Sequence, residues 1–281
     1  MELRNREISM TVRQSLIRLG YKQRLEALDS ELVEKAYDVD RALGFLDTKK
    51  EQSGKQKPVR FDDLVDKLIS CRVENGQICF FSPWGPRYKI KTTEVTESST
   101  ETATLKEVRE VFDGLADLGF KIRFLVMPAD TYGTEINSLS QDFVDSYFSS
   151  LKNAVDKIMR QLIERGCLSV EIVPWSIIKG ENAGEYSRIK SGISEMPLPD
   201  LMRDALRKAR VMNPRDVDRS ARKYVEERVT EAILIDQLYN PIKLSLVKKE
   251  NDAADLQSFM RIYVIRNKAP WMASLGDLLR N

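Results

Sequence analysis

The chain predicts an α/β fold: a Rossmann-like parallel sheet flanked by helices, preceded by a helical N-terminal segment and closed by a C-terminal antiparallel strand pair. Three observations point there. Residues 77–127 spell strand, helix, strand; a second long helix and a third strand follow at once; and each strand stops at a proline or a polar loop.

Residues 1–48 carry apolar side chains at helical spacing, Ile8, Val12, Leu16 and Leu19, then Leu25, Leu28, Leu32 and Ala36. The lysine-rich stretch 49–60, with its glycine, reads as a linker, so residues 61–281 form the candidate catalytic domain. "RFDDLVDKLISCRV" predicts a short helix that turns at Asn75-Gly76 into the strand "QICFF". "TLKEVREVFDGLADLG" places Leu105, Val108, Phe112, Leu115 and Leu118 on one stripe and ends at Gly119, which suits a left-handed cap. "FKIRFLVM" is the next strand, ended by Pro128; a long helix to Gly166 and the strand "CLSVEIV" complete the unit. Residues 184–238 read as helical with breaks at 197–199 and at Asn213-Pro214. "IKLSLVKK" and "FMRIYVIR" alternate as the expected antiparallel pair.

The 281 residues are 42% hydrophobic, enough for a substantial core. Charged residues make up 31% yet nearly cancel at +2, so no global field recruits DNA, RNA or an acidic membrane. Cys71, Cys79 and Cys167 form no CxxC pair, which argues against a disulfide framework or a zinc site and for a reducing compartment. The first twenty residues mix charges without an unbroken apolar run, and the expectation is a cytoplasmic protein without a membrane partner. Histidine is absent, which removes the commonest general acid/base and the commonest transition-metal ligand. No cofactor and no metal is expected. Phosphate-loop, GxGxxG, GxSxG and HExxH patterns are absent too.

In open α/β sheets the ligand crevice lies at the carboxyl ends of the strands. Three segments qualify: "SPWGPRYK", "PADTYGTEIN" and "PWSIIKGEN". They supply Ser82, Arg87, Tyr88 and Lys89; Asp130, Tyr132, Glu135 and Asn137; and Trp175, Ser176 and Lys179. Pro-Trp-Gly-Pro reads equally as a stiff turn with a Trp over the core edge, and Asp130 as an Asx-turn residue. Arg87 and Lys89 suit a phosphate or carboxylate. On "DVDRSARKYVEERVTEAILIDQLY", Arg228 falls inside the apolar stripe, so it needs an anion, either a structural carboxylate or a ligand, with Glu227 and Glu231 flanking it. The basic residues from Arg203 to Lys223 are interleaved with acids and read as a solvated face or an RNA-backbone contact.

In order, these segments resemble the isocyanide (isonitrile) synthase family of pyoverdine and dityrosine biosynthesis proteins. "FFSPWGPRYK" resembles that family's Lys-Ser-Pro-Asn segment and "KIRFLVMPADTYGTEI" its strand ending in a ligand-side aspartate. "DFVDSYFSSL" resembles the helix that follows, "ARKYVEERVTEAILIDQLYNPIKLSLV" its arginine helix with Tyr-Pro-x-x-Ile-Arg-Leu-Ser-Ile-His, and "KAPWM" its terminal Thr-Pro-Trp-His. The resemblance implies an enzyme that turns the amino group of an aromatic amino acid into an isonitrile with carbon from a sugar phosphate. By position, Ser82 and Lys89 would border the sugar phosphate and Asp130 would be an acid/base. Arg228, Lys243 and Ser245 would bind anionic groups. Phe81 stands where the family has a lysine, Lys243 where it has an arginine, and Val247 and Met272 where it has histidines. An imine would then need Lys89 or Lys91.

The chain also resembles the cyclodipeptide synthases, with a strand, a Ser-containing loop and a late helix reading Ala-x-x-Tyr-x-x-x-Glu; "ARKYVEER" has Arg228 at the glutamate position. That resemblance implies that Ser82 carries an aminoacyl group delivered by tRNA. A third expectation is a non-catalytic binding protein. The candidate set is therefore Asp130, Lys89 and Tyr132 as catalytic residues and Ser82, Arg87, Arg228, Lys243, Ser245 and Trp175 as substrate contacts.

Overall fold

The computed structural model describes residues 8–27, 29–48, 61–85, 92–195, 217–245 and 260–263. Helices α1 (Met10–Arg18), α2 (Lys22–Glu26), α3 (Ser30–Thr48) and α4 (Phe61–Val73) precede strand β1 (Gln77–Trp84). Then come α5 (Thr100–Asp117), β2 (Lys121–Pro128), a π-helical turn (Tyr132–Ile136), α6 (Gln141–Glu164) and β3 (Leu168–Ile172). Helices α7 (Trp175–Glu181), α8 (Ala183–Ser194) and α9 (Val217–Tyr239) lead to β4 (Ile242–Ser245) and β5 (Met260–Tyr263).

Helices α1, α5 and α6 start where the sequence offers a free donor a partner. The Ser9, Ser99 and Ser140 hydroxyls accept the N–H groups of Val12, Thr102 and Phe143 at 3.3, 3.2 and 3.3 Å, satisfying donors that a helix cannot satisfy internally. Gly119 ends α5 at φ +82°, a left-handed conformation that calls for glycine, and the Arg72 guanidinium, 3.2 Å from where a Cβ would sit, would have to shift slightly to admit one.

The five strands run in the order β3-β2-β1-β4-β5, and every neighbouring pair is parallel. The expected Rossmann-like sheet is therefore present, but the C-terminal antiparallel pair is corrected: β4 and β5 pair in parallel, with Ile242 opposite Met260 and Ser245 opposite Tyr263. Alternation reveals a strand but not its direction, and the residues between β4 and β5 suffice for a parallel crossover, which takes a dozen or more.

Residue alternation splits the core by face. Ile78, Phe80 and Trp84 of β1 and Ile122, Phe124 and Val126 of β2 join one buried cluster with α1, α3, α4, α5 and α6. Phe81 of β1 and Leu125 and Met127 of β2 join a second with α7, α8 and α9. The two sides are covered independently, as a parallel sheet requires. The N-terminal helices share the first cluster with the sheet: Val12, Leu16, Leu32 and Ala36 are fully buried there. The linker 49–60 lies outside the described residues. No helix among the described residues is long and apolar enough to cross a membrane.

Candidate functional site

The chain moves from β1 outward to β2 and β3, then returns to place β4 on the other side of β1. The order reverses between β1 and β4, and ligands of open α/β sheets bind in the crevice beyond such a reversal. β1 therefore carries the site, and it is longer than its apolar run. Ser82, Pro83 and Trp84 pair with Val126, Met127 and Pro128 of β2, so they end the strand rather than open a loop. The two segments expected as loops after β2 and β3 are also corrected. Helical structure begins at Asp130 and continues into the π-helical turn, and α7 starts at Trp175. Gly133 and Gly180 inside these short helices disfavour a helical reading, and a turn or two shows little apolar period.

Ser82 is fully buried and Trp84 is 5% exposed. Ser82 lies between Phe80 and Trp84 in the two-residue alternation, so it faces the first cluster. Neither the Ser82 Oγ nor the Trp84 Nε1 has a hydrogen-bond partner among the described residues. A third such atom is the Oγ1 of Thr131, 5% exposed, just past the end of β2. The Ala129 N–H donates to the Trp84 carbonyl at 2.6 Å, and a Cβ added to Gly85 would lie 3.4 Å from that of Ala129. The two strand ends are thus in direct contact. Buried polar side chains normally find partners, and an orphaned one costs roughly 1–3 kcal/mol. Among the described residues the three orphaned side-chain atoms all fall at this one edge of the sheet.

The other side of the sheet holds a different arrangement, in which buried carboxylates are fully engaged. Glu231, fully buried on α9, accepts the Tyr132 hydroxyl at 2.7 Å and the Arg228 Nη1 at 2.5 Å; the Arg228 guanidinium also lies 5.8 Å from the Tyr132 ring centre. One turn earlier Glu227, 3% exposed, accepts Trp175 Nε1 at 2.6 Å, Tyr186 hydroxyl at 2.6 Å and Lys190 Nζ at 2.9 Å. Burial works to raise the Glu227 pKa, but those hydrogen bonds outweigh it and hold the carboxyl below its ordinary range. Burial, reinforced by the neighbouring carboxylates, raises the Tyr132 phenol well above its ordinary value. Burial and the Glu227 hydrogen bond raise Tyr186 likewise. The network therefore sets the Glu227 and Glu231 carboxyls among the Tyr132 and Tyr186 phenols, the Trp175 indole and the Arg228 and Lys190 side chains. It joins the π-helical turn, α7 and α8 to α9.

Sequence-predicted residues divide between these places. Ser82 stands at the switch-point edge. Tyr132, Trp175 and Arg228 belong to the carboxylate network on the opposite face, where the Arg228 partner is Glu231. Asp130 bridges two elements, its Oδ1 accepting the Ser176 N–H at 3.1 Å in the first turn of α7. Lys243 pairs with Phe81 and Ser245 ends β4; their side chains, and all of Arg87, Lys89, Val247 and Met272, lie outside the described residues. Phe81, where the isocyanide synthases have a lysine, is fully buried in the second cluster. Of the basic residues near α9, Arg222 is paired with Glu226 and Lys223 with Glu135, while 203–215 lies outside the described residues.

Sequence reasoning missed Tyr186 and Lys190 because nothing in "GEYSRIK" marks them as inward-facing. Thr131 carries no signal either. Trp84 did carry one: an indole N–H in a buried strand must donate to something.

Fold and site together define a Rossmann-like α/β protein with an orphaned polar edge at its strand-order reversal. No family model and no curated protein matches the chain, so the isocyanide-synthase resemblance rests on the sequence motifs alone. Among solved structures, a CDPS from Fluoribacter dumoffii is similar at a TM-score of 0.40 and 11% identity, over 66% of this chain and 88% of that one. A likeness of that size carries no argument about function.

Proposed function

We propose that this protein is an acyl transferase of the cyclodipeptide-synthase kind, in which Ser82 accepts an aminoacyl group from an aminoacyl ester of tRNA. The observation that carries the reading is the Ser82 hydroxyl near the end of β1, fully buried and without a partner among the described residues, beside the strand-order reversal.

Among the described residues no base is hydrogen-bonded to Ser82, which narrows the chemistry. The chain has no histidine, and Ser82 has no carboxylate or amine bonded to it among the described residues. A serine without a base is a poor nucleophile towards an amide. An aminoacyl ester is already activated, and its exchange with a serine is nearly isoenergetic. The Ser82 oxygen bonds to the carbonyl carbon, the carbon–ribose oxygen bond breaks, and the departing ribose oxygen takes the serine proton. The exchange balances with no residue acting as base. Isonitrile formation by contrast needs an amine at the sugar carbonyl, and the residue before Ser82 is the buried Phe81.

The test is deacylation of a tRNA pool charged with radiolabelled amino acids. The full-length protein is expected to speed loss of label from tRNA, and Ser82→Ala to leave it at the rate without protein. Equal rates with wild type and Ser82→Ala would refute the proposal.

A further inference from the structure

Trp84 and Thr131 take no part in the exchange just described, yet they share the orphaned edge with Ser82. The indole Nε1–H only donates, so its missing partner is an acceptor such as a carbonyl, carboxylate or phosphate oxygen. Trp84 is two residues beyond Ser82 on the same side of β1, and Thr131 follows the residue pair that joins the ends of β1 and β2. A burial-induced low dielectric makes each donor costly while unpaired and strong once paired.

We propose that the Trp84 Nε1–H and the Thr131 Oγ1–H hold the carbonyl oxygen of the acyl group that Ser82 attacks. The inference rests on the acyl-transfer reading and assigns the groups that stabilise its charge. As the Ser82 oxygen bonds to the carbonyl carbon, the carbon–oxygen π pair moves onto the carbonyl oxygen, which gains negative charge and accepts both hydrogen bonds more strongly. When the pair returns, the ribose oxygen leaves with the serine proton. Donors fixed before the reaction need no reorganisation as charge develops, which is why such groups act mainly on the chemical step.

The experiment measures single-turnover acylation of the full-length chain by charged tRNA, by intact mass, in wild type, Trp84→Phe and Thr131→Val. Trp84→Phe keeps an aromatic ring and Thr131→Val keeps the shape; each deletes one donor. The expected result is a fall of about 10²-fold in the acylation rate for Trp84→Phe, with the tRNA concentration for half-maximal rate little changed. Thr131→Val is expected to show a smaller fall in the same direction. Thr131→Val is expected to melt no lower than wild type, because it removes an orphaned buried hydroxyl and keeps the volume, whereas a partner for that hydroxyl in the folded chain would lower the melting temperature. Trp84→Phe also loses part of a buried ring and is expected to melt lower, so its readout is the rate. Wild-type acylation rates in Trp84→Phe, or in Thr131→Val should Trp84→Phe fail to fold, overturn the assignment and leave the role of Ser82 standing. No acylation of the wild-type chain overturns both.

Discussion

Replacing Ser82 with alanine should stabilise the protein. The side chain has no exposure and its hydroxyl no partner among the described residues. Burying such a group without a hydrogen bond costs roughly 1–3 kcal/mol, all of which the alanine variant recovers. Against this stands the loss of one oxygen from a packed site between Phe80 and Trp84, a few atom pairs at about 0.1–0.2 kcal/mol each. The net is a gain of about 1 kcal/mol, or a melting temperature about 2–4 °C higher for a chain of this size. Urea unfolding of wild type and Ser82→Ala, with equal m-values, measures it directly. A loss of about 1 kcal/mol or more would mean that the hydroxyl has a partner in the folded chain. The edge around Ser82 would then be complete without a ligand.

The carboxylate network on the opposite face makes the contrary prediction, since its groups are paired. Arg228→Met strands the fully buried Glu231 and should cost about 3–5 kcal/mol in urea unfolding, whereas Arg228→Met with Glu231→Gln, which keeps an acceptor for Tyr132, should cost less than the single change; a double variant as costly as the sum of the singles contradicts the pairing. Glu227→Gln should lower stability by about 3 kcal/mol at neutral pH, because a carboxamide cannot accept from Trp175, Tyr186 and Lys190 together. The Glu227 carboxyl is depressed below its ordinary 4.5 in the folded chain, so its contribution is full above that value and is lost as pH falls through the folded value. The gap between wild type and Glu227→Gln should therefore shrink below about pH 4.5, and a gap that widens with acid contradicts the hydrogen-bonded anion.

The sheet and its flanking helices were legible because burial imposes periods. Leu105, Val108, Phe112 and Leu115 repeat at helical spacing and are all fully buried, and in "QICFF" Ile78 and Phe80 join one cluster while Phe81 joins the other. Direction was not legible, since β4 and β5 alternate identically in either orientation. Arg228 was readable as an inward cation needing an anion, because charge on an apolar stripe has few alternatives. Its grouping with Tyr132 and Trp175, and the separation of all three from Ser82, follows from which side of β1 each packs against. That parity is set by Phe81 and Ser82 being consecutive, and it becomes visible only once the strand is known to run through Trp84. The short helices at Asp130 and Trp175 stayed hidden because a turn or two holds too few residues to show a period.

The proposed acylation of Ser82 has a mass signature. Wild-type protein mixed with charged tRNA, quenched in acid and weighed by intact mass spectrometry, is predicted to gain the mass of one amino-acid residue, with the increment mapped to the peptide carrying Ser82 and absent from Ser82→Ala. An unmodified wild-type mass, or an increment that persists in Ser82→Ala, would contradict it.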